Sequence, residues 1–81
     1  MTIDYLQALN IAQNEVGRMG SNIGTALVII ESSVQEVEDA WYFPYNSRDL
    51  IEKNDILSAL AGNLPIKVFK DGSGFVLEAA P

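Results

Sequence analysis

Apolar residues in the first part of the chain recur at helical spacing. At 100° per residue, Tyr5, Ala8, Leu9, Ala12, Val16 and Met19 converge on one face, with Gln7, Asn10 and Asn14 opposite. Thr2 is the expected N-cap, with Asp4 in the positive first turn. Arg18 suits the C-terminal end, and Gly17 and Gly20 supply stop signals, so a loop is expected from Gly20 to Thr25. Ala8 and Ala12 let this helix approach a sheet closely.

The period then changes. Ala26-Leu27-Val28-Ile29-Ile30 is short, apolar and rich in β-branched residues, which predicts a central strand. Ser32 to Asp39 is polar and acidic, a connection or a solvated strand end. From Ala40 to Asn46 the chain reads as extended, with Trp41, Phe43 and Tyr45 alternating against Tyr42, Pro44 and Asn46. Pro44 has no N–H for a ladder, so this strand is expected at an edge or bulged there.

Ser47 to Lys53 fits a strand continuation, a helical turn or a loop. Asn54 or Asp55 can cap a short helix from Ile56 to Leu60, with Gly62 at its C′ position. Pro65 opens the alternation Ile66-Lys67-Val68-Phe69-Lys70. Asp71-Gly72-Ser73-Gly74 turns, and Phe75-Val76-Leu77-Glu78 returns as the last strand. The order α-β-β-α-β-β predicts an α+β fold. In it an N-terminal helix packs on a mostly antiparallel four-stranded sheet, with a second short helix.

Length and composition narrow the functions available. For 81 residues and 8.8 kDa, mass scaling gives roughly 4,800 Å² of folded surface against roughly 12,800 Å² unfolded. One small core and a single domain, 1–81, are expected. At 48% hydrophobic the chain can fill that core. It has neither Cys nor His, which removes the Ser-His-Asp triad, the Cys nucleophile and thiolate or imidazole zinc sites. No enzyme activity and no cofactor are expected. A net charge of −6 argues against a phosphate-gripping surface, so nucleic acid is not an expected partner. Met1 to Asn10 lacks the basic n-region of a signal peptide, and the apolar run Ala26 to Ile30 is too short to span a bilayer. A cytoplasmic protein without a membrane partner is the expectation.

Four features invite a site reading. Gly17, Gly20 and Gly24 match neither dinucleotide nor phosphate-loop spacing and precede a strand rather than a helix. Asp71-Gly72-Ser73-Gly74 supplies one carboxylate where a calcium loop needs several, and reads as a hairpin turn. Glu31, Glu36, Glu38 and Asp39 form the main charge concentration, either a solvated connection or an acidic docking patch for a basic surface. The run Trp41 to Tyr45 gives one alternate face to the core and leaves the other, with Tyr42, as an exposed interface anchor. Glu36, Glu38, Asp39 and Tyr42 are therefore the candidate partner-binding residues.

Two segments carry a family resemblance. Trp41-Tyr42-Phe43-Pro44-Tyr45-Asn46 fits a W-x-F-x-Y-N strand, and Leu60-Ala61-Gly62-Asn63-Leu64-Pro65-Ile66-Lys67-Val68 fits L-A-G-N-x-P-I-x-V. With the Asp71-Gly72 turn, the chain resembles the immunity protein 35 family of small bacterial domains over nearly its whole length. Lys70 directly before Asp71, and the lengthened turn through Ser73-Gly74, depart from the pattern. The resemblance implies a protein encoded beside a toxin that it binds and neutralises inside the producing cell. Papain-like cysteine peptidase toxins are among the partners implied. A nuclease toxin countered by acidic mimicry, and a small heat-stable chaperone-like protein, are the alternatives. The motif residues themselves read as structural: Gly62 as a cap, Pro65 as a strand opener, and Asn63 as a side chain bonding local backbone.

Overall fold

The computed structural model describes residues 2–81. Helix α1, Tyr5–Ile23, starts at Asp4 rather than Thr2. The Asp4 carboxylate accepts the Gln7 N–H at 2.8 Å, and the Gln7 side-chain oxygen accepts the Asp4 N–H at 2.9 Å. This reciprocal box satisfies two backbone donors at once, which Thr2 cannot match. The helix also runs past Gly17 and Gly20 to Ile23, and turns at Gly24, whose φ of 70° is left-handed. Gly20 is buried because the returning chain passes against it: a Cβ there would lie 2.5 Å from the Thr25 carbonyl oxygen. Its glycine permits close approach and does not end the helix.

Six strands follow, in two sheets. Strand β1, Leu27–Ile29, pairs only with β4, Tyr45–Ser47, so the expected central strand is half of a two-stranded ladder. The other sheet has the order β2-β3-β5-β6, formed by Gln35–Glu36, Ala40–Phe43, Ile66–Phe69 and Phe75–Leu77. Every neighbouring pair is antiparallel. A 3₁₀ turn, Glu31–Ser33, and then β2 occupy the stretch read as a connection. Pro44 breaks the aromatic run as its missing N–H requires, but the outcome is a change of sheet: β3 lies inside the four-stranded sheet and β4 joins β1. The Pro44 carbonyl still accepts the Ile30 N–H at 2.9 Å.

Alternation decides which sheet face meets α1. Trp41 pairs with Val68 and Phe43 with Ile66, and all four are buried with Ala8, Ala12, Val16 and Tyr45 in one cluster. Tyr5 meets Trp41 edge-on at 6.0 Å between centroids and Phe43 at 5.9 Å, closing the N-terminal end of this core. The accessible surface of 5036 Å² is close to the sequence expectation.

The second half of the chain corrects the predicted helix. Helix α2 is Arg48–Lys53, capped by the Ser47 hydroxyl, which accepts the Leu50 N–H at 3.1 Å. Asn54 ends it with φ 55°. The Ile56-to-Leu60 stretch forms only a 3₁₀ turn, Ile56–Ser58, capped by the Asp55 carboxylate on the Leu57 N–H at 3.2 Å. Gly62 does adopt positive φ, 74°, but lies beyond the Ala59 C-cap, at a bend in the segment leading to Pro65.

Candidate partner-binding surface

The residues singled out from sequence lie on the β2–β3 hairpin and divide between three environments. Glu36 is exposed at the β2 edge, where Lys70 Nζ donates to its carboxylate at 2.6 Å. The same ammonium sits 5.0 Å from the Trp41 ring centre. That hydrogen bond, reinforced by the Lys70 charge, holds the Glu36 carboxyl below its ordinary pKa. Glu38 and Asp39 are exposed in the turn between the strands, and among the described residues neither side chain has an ion-pair partner. The hairpin thus brings Glu36, Glu38 and Asp39 together at one end of the sheet.

Tyr42 is not the exposed anchor expected of it; it is only 4% exposed. It lies on the sheet face away from α1, beside Gln35 and Lys67. Its hydroxyl donates to Glu78 Oε2 at 2.9 Å, and Lys67 Nζ donates to the same oxygen at 3.1 Å. These two donors, the Tyr42 hydroxyl foremost, lower the Glu78 pKa, while Glu78 raises that of Lys67. The Lys67 ammonium also stands 5.5 Å from the Tyr42 ring centre. The segment after Glu78 crosses from β6 to the opposite edge, where the Gln35 side chain donates to the Pro81 carbonyl at 3.4 Å. Tyr42 is thus buried beneath a strap formed by distant parts of the chain, a contact its local alternation does not encode.

A surface absent from the sequence reading lies at the far end of α1. Leu57 is 97% exposed and Ile56 75%, with Ile23, Ile51 and Leu64 also open to solvent. Beside them a cavity of about 270 Å³ is lined by Met19, Asn22, Ile23, Leu27, Tyr45, Leu60 and Asn63. A second hollow, bounded by Gly24, Asp49, Leu57 and Leu60, adjoins it through Leu60. Exposed apolar groups in this density mark interaction sites more often than they arise by chance on a monomer. The signal available in sequence was length: the five residues between Asp55 and Ala61 cannot both form a helix and bury Ile56, Leu57 and Leu60.

Two asparagines hold this turn in place. Asn46 Oδ1 accepts the Leu60 N–H at 2.8 Å, and its amide nitrogen donates to the Leu60 carbonyl at 3.4 Å. In return, Asn63 Nδ2 donates to the Tyr45 carbonyl at 2.8 Å, 18 residues away. Asn63 therefore bonds distant rather than local backbone, and the W-x-F-x-Y-N and L-A-G-N segments clasp one another. The clasp and the Asp55 cap present Ile56 and Leu57 from a fixed backbone, which lowers the ordering cost of binding through them.

These features define a small helix-on-sheet α+β domain with its distinctive chemistry on the surface. The chain belongs to the Immunity protein 35 family, whose sequence profile matches residues 6–81. The family description names an immunity protein, which implies a toxin as partner. Comparison with curated proteins and with solved structures gives no match. Among the described residues no cluster of acidic side chains has metal-holding geometry, and no helix is long and apolar enough to cross a membrane.

Proposed function

We propose that this protein neutralises its toxin by seating the Ile56–Leu57 projection in the toxin's substrate cleft. The carrying observation is that projection: Leu57 almost wholly in water with Ile56 three-quarters exposed beside it, on a turn fixed by Asn46, Asp55 and Asn63. A convex apolar feature requires a concave apolar receptor, and buried anchors of this kind dominate binding energy. A papain-like cysteine peptidase, whose cleft accepts extended chains, is the toxin class this shape suits. The toxin is expected from the adjacent gene, and the two proteins meet in the cytoplasm. Glu36, Glu38 and Asp39 contribute steering toward a basic surface.

The test is co-purification with the adjacent gene product and rescue of cells producing it. Leu57→Asp is expected to weaken binding at least ~10-fold, about 1.4 kcal/mol, and to abolish rescue. Failure of the wild-type chain to bind or rescue overturns the reading.

The unpaired Glu38 and Asp39 carboxylates favour a second reading, mimicry of nucleic-acid phosphates against a nuclease toxin. Charge reversal at Glu36, Glu38 and Asp39 separates the two. Severe loss of protection supports mimicry; protection that survives reversal but not Leu57→Asp supports the plug.

A further inference from the structure

Gln35, Tyr42, Lys67 and Val76 pair in one row across the four-stranded sheet, so their side chains share the face away from α1. The main core and α1 lie on the other face, yet Tyr42 and Ala40 are buried on this one. Their cover is the strap, residues 78–81, which leaves β6 at one edge and reaches β2 at the other. Its attachments are unequal. The Glu78 N–H donates to the Pro65 carbonyl at 3.2 Å where the strap begins, and the Gln35 amide reaches the Pro81 carbonyl at 3.4 Å where it ends. Between them, Glu78 Oε2 accepts both the Tyr42 hydroxyl at 2.9 Å and Lys67 Nζ at 3.1 Å. Ala79, Ala80 and Pro81 are exposed and take no part in the core cluster.

We infer that the strap is a releasable cover with the Glu78 carboxylate as its latch, which lifts from Tyr42 while both sheets and α1 stay folded. Two donors from neighbouring strands converge on one oxygen, and hydrogen bonds to a charged acceptor are the strong ones. Little else holds the strap down, because its remaining side chains are small or turned to water. The ladder beneath does not depend on it: β3 is bonded to β2 on one flank and β5 on the other. Segments with few buried apolar contacts open at far lower cost than the whole fold. Charge sharpens the dependence on Glu78. In a chain of net charge −6, Lys67 is the cation facing this carboxylate; Gln35 and Val76 beside it are neutral. Glu36 and Lys70 pair with each other next to Trp41, on the opposite face. The latch therefore decides whether Tyr42 is core or surface.

Hydroxyl-radical oxidation of the purified chain, mapped by mass spectrometry, reads the cover at Tyr42. Tyr45, buried in the α1-side core, is the internal control. Glu78→Ala is expected to raise Tyr42 oxidation about 10-fold, as the loss of hydrogen bonds to a charged group implies, with Tyr45 as protected as in wild type. Gln35→Ala frees only the far end of the strap and should raise Tyr42 oxidation by a smaller factor. A folded Glu78→Ala chain in which Tyr42 stays protected overturns the inference, since the carboxylate then latches nothing. Oxidation that rises at Tyr42 and Tyr45 together also overturns it, because the strap is then integral to the fold and not a cover on it. An equal or larger rise in Gln35→Ala does the same by moving the latch away from Glu78. None of these results bears on toxin binding through Ile56 and Leu57.

Discussion

The aromatic run Ala40–Tyr45 and the stretch Leu50–Leu64 are both dense in apolar residues, but solvent treats them oppositely. In the first, Phe43 is fully buried and Trp41 nearly so; in the second, Ile56 and Leu57 stand in water. The aromatic run is the denser of the two, but the second stretch also has large aliphatic residues that stay in water, so neighbours rather than composition decide burial. The aromatic run has α1 on one face and β2 and β5 on its flanks. The later stretch is held by two asparagine side chains and a cap, which fix its backbone without covering its side chains. Burial follows from what can be packed alongside, and the bare stretch is left for a partner.

The largest expected effect breaks the packed half. Phe43→Ala should cost about 3–5 kcal/mol in denaturant unfolding, because its site is enclosed by Tyr5 and the α1 face. A loss below about 1 kcal/mol would mean that this half is no better packed than the other. Next, Gly20→Ala should destabilise by about 1–3 kcal/mol, since the added Cβ meets a backbone oxygen that cannot yield cheaply. Gly17→Ala is the counterpart: nothing lies within 4 Å of its Cβ, so helix propensity alone should raise stability by about 0.5–1 kcal/mol.

On the sheet face beneath the strap, the Glu78 pKa is lowered in the fold, principally by the Tyr42 hydroxyl. Its contribution is therefore present above the unfolded carboxyl pKa and lost as pH falls through the folded value. Glu78→Gln should make the fall in stability between about pH 5 and pH 3 shallower, measured by urea titrations across that range. Smallest on stability is Leu57→Asp, within about 0.5 kcal/mol of wild type despite removing a large aliphatic group. A large loss there would place Leu57 in the core and collapse the comparison.

Much of the packed half was legible because its signals are local. The alternation Ile66–Phe69 gave strand, face and core residues, and Pro44 marked the break in the aromatic run. What sequence could not supply was non-local. The partner of β1 depends on the turn at Pro44, the burial of Tyr42 on a strap bonded to Gln35, and the clasp on residues 18 apart. The acidic hairpin was legible as a cluster. The Ile56–Leu57 projection was not, because its apolar residues read equally well as the buried face of a short helix.

Pro44 has a further consequence, for cooperativity. The strands on either side of it, β3 and β4, belong to different sheets joined by one residue. Any force or fluctuation that peels β1 from β4 is transmitted through that covalent link to the middle of the other sheet. The two sheets should therefore melt as one unit, and Trp41 fluorescence and backbone ellipticity should report a single coincident transition.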